Sequence, residues 1–187
     1  MSDAVSGHLN GTVVAVHRRG AYGFSKDEVD EIELVAGLGV ADDAHQGAQV
    51  QHRSRVKADP TQPNLRQVHF IATELFDEVR AEGFEVEPGD LGENVTTTGL
   101  DLLNLPVGST LLVGTALVTL TGTRNPCGQI DGFQKGLRAA VMPTNDDGSP
   151  DRRAGAMGVV VRGGVVRAGD SIVVALPPEP HHRLERV

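Results

Sequence analysis

The stretch LLNLPVGSTLLVGTALVTLTGT, residues 102–123, decides the fold that the sequence predicts. Apolar and β-branched residues dominate 109–113 and 116–121, and Gly114 and Thr115 stand between the two runs. Two short runs joined by a two-residue turn that contains glycine are typical of a β-hairpin. The stretch therefore predicts two antiparallel strands near the middle of the chain.

Short strands punctuated by glycine recur on both sides of this hairpin. The predicted strands are GTVVAVH (11–17), the start of EIELVAGLGV (31–40), RQVHFIA (66–72), GVVVRG (158–163), VVRAG (165–169) and DSIVVAL (170–176). One clear helix is predicted over 73–82, with Thr73 as its N-cap, and one short helix within 127–141. Many short strands with few helices predict a mainly β fold closed into a barrel. Because strands do not alternate regularly with helices, a doubly wound nucleotide-binding fold is disfavoured.

The length and the ends of the chain indicate a single domain. A chain of 187 residues can bury a substantial core. We expect an N-terminal extension at 1–10, one domain over 11–177 and a polar surface tail over 178–187 that stays outside the core. The first residues lack the basic and apolar regions of a secretory signal, and no apolar run approaches membrane-spanning length. The simplest expected location is the cytoplasm, with no membrane partner.

Composition argues against nucleic-acid binding. The net charge is −8, aromatic residues make up 3% of the chain, and tryptophan is absent. Tracking a phosphate backbone needs cations, and binding single strands needs aromatic stacking surfaces. One cysteine, Cys127, excludes an internal disulfide and fits a reducing compartment. Zinc-ligand spacings such as CxxC and HExxH are missing, as is the GxSxG nucleophile elbow.

The first polar cluster is GVADDAHQG, residues 39–47. Asp43 and His45 stand two positions apart, so they share one face of an extended segment. They predict either a carboxylate–imidazole pair in a binding turn or an Asx-type turn beside a solvated histidine. The residues alone favour the second interpretation about two to one.

The second cluster, residues 51–69, concentrates cations in an acidic protein. It contains Arg53, Arg55, Lys57 and Arg66. Guanidinium groups suit phosphate and carboxylate ligands, so the cluster predicts an anionic ligand. The alternative is a solvated loop that balances nearby acids, and the residues leave the two interpretations even.

The third and fourth clusters supply amides, hydroxyls and the thiol. GDLGENVTTTGLDL, residues 89–102, includes Glu93, Asn94 and Thr96 and by itself reads best as a loop of turns. TGTRNPCGQ, residues 121–129, places Arg124 three positions before Cys127. An arginine this close favours the thiolate, which is a nucleophile and a soft metal ligand, and a helix beginning near Gly128 would add to the effect. The alternative is a thiol that acts as a small apolar side chain.

Taken in order, these clusters resemble the MOSC domain, named after the C-terminal domain of the molybdenum-cofactor sulfurases, in its stand-alone bacterial type. The matching residues are Asp43-x-His45-x-Gly47, Arg-Gln-Val (66–68), Gly-Glu-Asn (92–94), Gly-Leu-Asp-Leu (99–102), Val-Gly (107–108), Arg124, Pro126, Cys127 and the closing Gly-Gly-Val-Val-Arg-Ala-Gly-Asp (163–170). They extend over nearly the whole chain. The resemblance implies a β-barrel of the pyruvate-kinase type and a link to the pterin molybdenum cofactor.

The resemblance also implies the site. Cys127 is expected to ligate molybdenum or to carry sulfur, and Arg124, Asn94 and His45 are expected to form the pocket. The residues expected to act in catalysis are Cys127, Arg124, His45 and Asp43. Those expected to contact the cofactor are Arg124, Asn94, Glu93, Arg66, Arg53, Arg55 and Thr96.

Three functions follow. The first is an oxidoreductase that reduces N-hydroxylated small molecules with electrons from a separate donor protein. The second is a carrier of sulfur, as a persulfide, or of the cofactor, supplied by a sulfur-donor protein. The third is a non-catalytic binding module. Pyridoxal phosphate is not expected, since the sulfurases' pyridoxal domain is missing and the chain has only Lys26, Lys57 and Lys135. The N-terminal barrel of the amidoxime-reducing enzymes and the helical extension of some bacterial reductases are not expected either, and the oligomeric state is left open.

Overall fold

The computed structural model describes residues 9–187, apart from the side chains of Arg53 and Ser54. The strands are β1 (Asn10–Arg18), β2 (Asp27–Val29), β3 (Glu31–Val35), β4 (Gly39–Val40), β5 (Val68–Ala72), β6 (Val95–Thr98), β7 (Thr110–Val113), β8 (Ala116–Thr123), β9 (Ala156–Arg162), β10 (Gly164–Arg167) and β11 (Ser171–Ala175). The helices are α1 (Arg53–Ala58), α2 (Thr73–Ala81), α3 (Gln129–Phe133) and α4 (Leu137–Ala140), with one 3₁₀ turn at Leu102–Asn104.

Seven strands close into a barrel. Their order is β11-β7-β8-β9-β5-β6-β1, and pairing of β1 with β11 completes the ring. Every neighbouring pair is antiparallel except β5 and β6, which run parallel. β2 extends the ring on the outside of β1, and β10, β3 and β4 form a separate small sheet. The prediction of a mainly β barrel with a few short helices is confirmed.

The hairpin at residues 102–123 forms where the sequence predicts it. Alternate residues of β8, among them Ala116, Val118 and Leu120, are fully buried, while those between are partly exposed. Gly114 turns the chain with φ 55°, and a Cβ there would lie 2.5 Å from the Asp170 carboxylate. Only glycine fits both the left-handed backbone and the close approach.

Two apolar clusters fill the interior. The larger lies inside the barrel and includes Val16, Phe70 and Leu111, each of which is fully buried. The smaller packs α2, α3 and α4 against the outside of the ring through residues such as Leu91 and Leu137. Each such side chain contributes about 1.5–3 kcal/mol of burial free energy. This smaller cluster therefore fixes the three helices to the barrel.

Some local predictions need correction. The helix over 73–82 is present as Thr73–Ala81, but its N-cap is Ala72, so Thr73 is its first helical residue. Residues 127–141 form two short helices and not one, because Gly136 breaks the path with φ 92°. The segment 89–102, which reads as a loop, contains strand β6, since parallel pairing with β5 supplies hydrogen bonds that no local pattern shows.

The tail over 178–187 packs against the barrel, so the prediction that it stays outside the core was wrong at Leu184. That side chain joins the main core cluster. The Thr123 amide donates to the Glu185 carbonyl at 2.7 Å. Gly122 makes room for the tail, since a Cβ there would lie 2.3 Å from the Glu185 oxygen. Of the expected N-terminal extension, residues 1–8 lie outside the described part of the chain.

Candidate functional site

A small cavity opens where the parallel strands β5 and β6 begin. Its volume is about 100 Å³. The cationic, imidazole and thiol side chains that line it are Lys26, Arg55, Arg66, Arg124, His45, His52, His69 and Cys127. The first, second and fourth predicted clusters contribute all of these side chains except Lys26. The third predicted cluster contributes Asn94 and Gly92 to the lining. The barrel thus brings together residues that are up to about a hundred positions apart in the sequence.

Cys127 lies in the loop between β8 and α3. It is partly exposed, and its Sγ lies 3.5 Å from the Gln129 side-chain oxygen. Two arginine side chains hold this loop: Arg138 donates to the Pro126 carbonyl at 3.3 Å, and Arg152 donates to the Asn125 side-chain oxygen at 3.2 Å. These two hydrogen bonds therefore hold the turn from which the thiol lines the cavity.

Arg124 leaves the end of β8 and turns its guanidinium into the cavity wall. The guanidinium donates to the Leu91 carbonyl and lies over the Phe24 ring, 5.8 Å from its centroid. Burial lowers the pKa of Arg124, while attraction to Cys127 and Glu93 opposes that shift. Arg124 therefore interacts electrostatically with Cys127, and its expected role in favouring the thiolate stays a prediction.

Asp43 is the most heavily bonded carboxylate at the site. One oxygen accepts the Lys26 ammonium at 2.8 Å and the Asn94 amide at 3.2 Å, and the other accepts the His45 backbone amide at 2.9 Å and its ring Nδ1 at 3.3 Å. Burial alone would raise the pKa of Asp43, but the bonds to His45 and Lys26 hold it well below its ordinary range. Asp43 is therefore an ionised residue that orients His45.

Asn94 lines the cavity but has its hydrogen-bonding groups occupied. Its side-chain oxygen accepts the His69 amide, and its NH₂ donates to the His17 carbonyl and to Asp43, all at 3.2 Å. One side chain thereby ties β1, β5 and Asp43 together. The amide serves as a fixed part of the wall.

Glu93 and Thr96 lie one layer behind the wall. Both are fully buried, and neither lines the cavity. One Glu93 oxygen accepts from the Gly89 amide at 2.6 Å and from the Thr96 hydroxyl at 3.0 Å. Burial raises the pKa of Glu93 against these bonds and against the attraction of Arg124. Any effect of Glu93 on a ligand therefore passes through residues of the wall.

Two arginines of the second predicted cluster reach the cavity, Arg55 from α1 and Arg66 from just before β5. Arg66 donates to the Val187 carbonyl, but its buried Nε has no partner among residues 9–187. Burial and the neighbouring Arg55 and Arg124 lower the pKa of Arg66 to about 10. The side chain of Arg53 lies outside the described residues, so its predicted contact stays a prediction.

Sequence reasoning missed several cavity residues. Lys26 is the clearest, since its burial depends on a partner 17 positions away and no local pattern marks it. His69 has a readable signal, because it interrupts an apolar strand, VHFIA, in which four of five residues are buried. Its Nε2 lies 2.8 Å from the Ala154 carbonyl, and burial holds its pKa well below the ordinary value. Asn64 holds the turn after Asp43 by donating to the carbonyls of His45 and Gly47.

Two searches of residues 9–187 gave negative results. In this range no three His, Cys, Asp or Glu side chains are arranged to hold a metal ion. None of the helices described there has the length and apolar character needed to cross a bilayer.

Solved structures share this architecture. The YuaD protein from Bacillus subtilis superposes with a TM-score of 0.73 at 23% identity, covering 90% of this chain and 97% of its own. YiiM from Escherichia coli gives a TM-score of 0.61 at 20% identity, covering 91% and 72%. YiiM from Geobacillus stearothermophilus gives 0.59 at 20% identity, covering 88% and 73%. At these identities the likeness establishes the fold alone, and no curated protein sequence gives a significant match.

The family comes from the sequence itself. The model of the MOSC domain matches residues 45–173, which is well over half of the chain and includes Cys127 with most of the cavity wall. This family is associated with the molybdenum cofactor. The barrel, the order of the polar clusters and the matched span agree, and the chain belongs to the MOSC domain family.

Proposed function

We propose that the cavity binds the pterin molybdenum cofactor through Cys127 and that the loaded protein reduces N-hydroxylated small molecules. The observation that carries the proposal is the position of the thiol. Cys127 is partly exposed at a small cavity walled by Lys26, Arg55, Arg66 and Arg124, within a chain of net charge −8. A thiolate suits a soft metal, and guanidinium groups suit the anionic oxygens of a phosphate.

The residues present fit such a group. A single protein thiol is sufficient when the cofactor brings its own dithiolene, so the lack of a three-residue metal cluster in the described range is compatible with it. The buried Nε of Arg66 has a hydrogen bond left to give. The cavity of about 100 Å³ is small beside pockets that enclose a whole ligand, which are about 300–1,000 Å³, so only part of the cofactor would lie inside it.

The side chains have distinct tasks in this proposal. When bound, the cofactor supplies a molybdenum centre that can take oxygen from an N–O bond. Overall, R–NHOH with two electrons and two protons gives R–NH₂ and water, and the electrons come from a separate donor protein. Asp43 holds His45 through Nδ1, which leaves Nε2 as the nitrogen for proton exchange in the cavity. Arg124 holds the thiolate and an anionic group of the ligand.

Metal analysis tests the proposal. Wild type, Cys127→Ser and Met157→Leu are purified from a host that makes molybdopterin, and molybdenum is quantified by mass spectrometry. Met157→Leu is the matched control, because it replaces a second sulfur-bearing residue of the cavity wall and conserves volume. We expect near-stoichiometric molybdenum in wild type and control, and a loss of at least about tenfold in Cys127→Ser. Absence of molybdenum from the wild type would overturn the proposal.

The second candidate is a sulfur carrier. It is favoured by the partial exposure of Cys127, since persulfide exchange needs an accessible thiol and no further pocket. Turnover separates the two: the reductase converts hydroxylamines or amidoximes when an artificial electron donor is present, whereas the carrier shows one added sulfur on Cys127 and no turnover. Loss of both metal and persulfide would leave the non-catalytic binding module.

A further inference from the structure

Two buried carboxyl groups lie beside the cavity in contrasting surroundings. Asp43 accepts an ammonium, an amide and an imidazole. Glu93 is 0% exposed, and only one of its oxygens is bonded. Its other oxygen, Oε2, has no hydrogen-bond partner among residues 9–187. When neighbouring environments push two titratable groups in opposite directions, the groups usually have different protonation states.

A second orphaned group lies next to Glu93. His17 on β1 is 0% exposed, and neither of its ring nitrogens has a partner in the described part of the chain. Gly89 stands between the two residues. Its amide donates to Glu93, and a Cβ on Gly89 would lie 2.8 Å from His17 Cδ2 and 3.3 Å from His17 Nε2. Buried polar groups without a protein partner are commonly satisfied by an internal water.

The titratable groups that face Glu93 come from three directions. His17 approaches from β1, Lys26 from the segment before β2, and Arg124 from the end of β8. Burial and Lys26 lower the pKa of His17 to about 4, so this imidazole is neutral at physiological pH. For Glu93, burial outweighs the bonds to Gly89 and Thr96 and the pull of Arg124, and the pKa rises above its ordinary value of 4.5. Burial therefore disfavours the charged form of both groups.

We propose that Glu93 keeps its proton at neutral pH, shares a buried water with His17, and by remaining uncharged leaves Arg124 able to attract an anionic ligand into the cavity. The class of ligand rests on the proposed function, and the protonation of Glu93 does not. Release of the proton would place a carboxylate behind Arg124, whereas Lys26 is already paired with Asp43. Affinity for anions would then fall as the pH rises through the Glu93 titration.

The proton is observed directly by NMR. Protein carrying ¹³C in its glutamate carboxyl groups is titrated as wild type, Glu93→Gln and the exposed control Glu87→Gln. We expect one signal to remain at its protonated position at about pH 7 and to be lost only in Glu93→Gln. If all glutamates are ionised at that pH, the inference is wrong. Thr96→Val is a second variant that keeps the carboxyl, and it should move this titration to higher pH by removing a bond that favours the charged form.

The water is tested in the same samples. A long-lived bound water should give nuclear Overhauser contacts to the His17 ring protons, and His17→Leu should abolish them. Absence of these contacts in the wild type would contradict the inference of a shared water.

Sulfate is the probe for the cavity, because its charge is constant over the range. Measured by calorimetry, the affinity of the wild type for sulfate should fall roughly three- to tenfold from about pH 6 to pH 9. The affinity of Glu93→Gln for sulfate should not change over this range. An identical pH dependence in both proteins, or no sulfate binding in either, would overturn the link to anion affinity. If the protein carries no molybdenum but Glu93 keeps its proton, the proposed function is wrong and this inference is supported. If the protein carries molybdenum but Glu93 is ionised, the proposed function stands and this inference is wrong.

Discussion

The cavity of about 100 Å³ lies where β5 and β6 begin, whereas a larger groove of about 1270 Å³ lies where these strands end. Leucines make up much of the groove's lining, and its Arg153 is paired with Glu78 and Asp151. In the described residues, the cavity end holds buried polar atoms without partners, on His17, Arg66 and Glu93. Unused hydrogen-bonding capacity and clustered charge distinguish a site better than volume does.

The largest expected effect that would test this contrast comes from the two ion pairs. Lys26→Met would leave the Asp43 carboxylate as an unpaired charge. Because the side chains of this pair are only 6% and 2% exposed, the substitution should cost about 3–5 kcal/mol of unfolding free energy. Arg153→Met at the groove removes pairs that are more than a third exposed and should cost less than about 1 kcal/mol. Urea denaturation measures both. Equal losses would mean that the two ends do not differ in the way described.

The next effect is a pH dependence that belongs to the cavity end. The folded pKa of His17, about 4, lies below its ordinary value of 6.5, so between these values the unfolded chain binds a proton that the native protein does not. Stability is therefore complete above about pH 6.5 and falls toward pH 4, by at most about 3 kcal/mol from this residue. His17→Gln should remove this contribution. His69 and His52, whose pKa values are also lowered, add to the slope, and Glu93, whose pKa is raised, opposes it. His181→Gln at the groove should leave it unchanged, and an equal flattening there would contradict the assignment.

A smaller effect concerns ligand affinity. Arg66→Gln removes a guanidinium with a buried, unpaired Nε and should weaken sulfate binding about tenfold, or about 1.4 kcal/mol. Arg183→Gln changes an arginine of the groove and should have no effect. Calorimetry at fixed pH and ionic strength compares the two. A greater loss of sulfate affinity in Arg183→Gln would indicate that the anion binds in the groove.

Sequence reasoning reached the fold because the barrel's strands are short, apolar and separated by glycine, which are local properties. It also reached Cys127, Arg124, His45 and Asn94, since each belongs to a compact motif. It did not reach Lys26, because that side chain is explained by a partner on another segment. In the sequence, His17 is a single polar residue in a predicted strand. Its burial follows from the pairing of β1 with β6 and from the close approach of Gly89 to its ring, which the sequence does not show. Strand β6 was missed for the same reason, since its parallel partner lies 25 positions away.

The pairing of β1 with β11 has a consequence for synthesis of the chain. In the register of this pair, Asn10 lies opposite Val173, so the ring closes by joining the first strand to the last. Every residue that lines the cavity precedes Ser171, and the last of them is Met157. Contacts of such long sequence separation form late in folding. A ribosome paused between Met157 and Ser171 therefore holds all the residues of the site before the barrel that positions them can close.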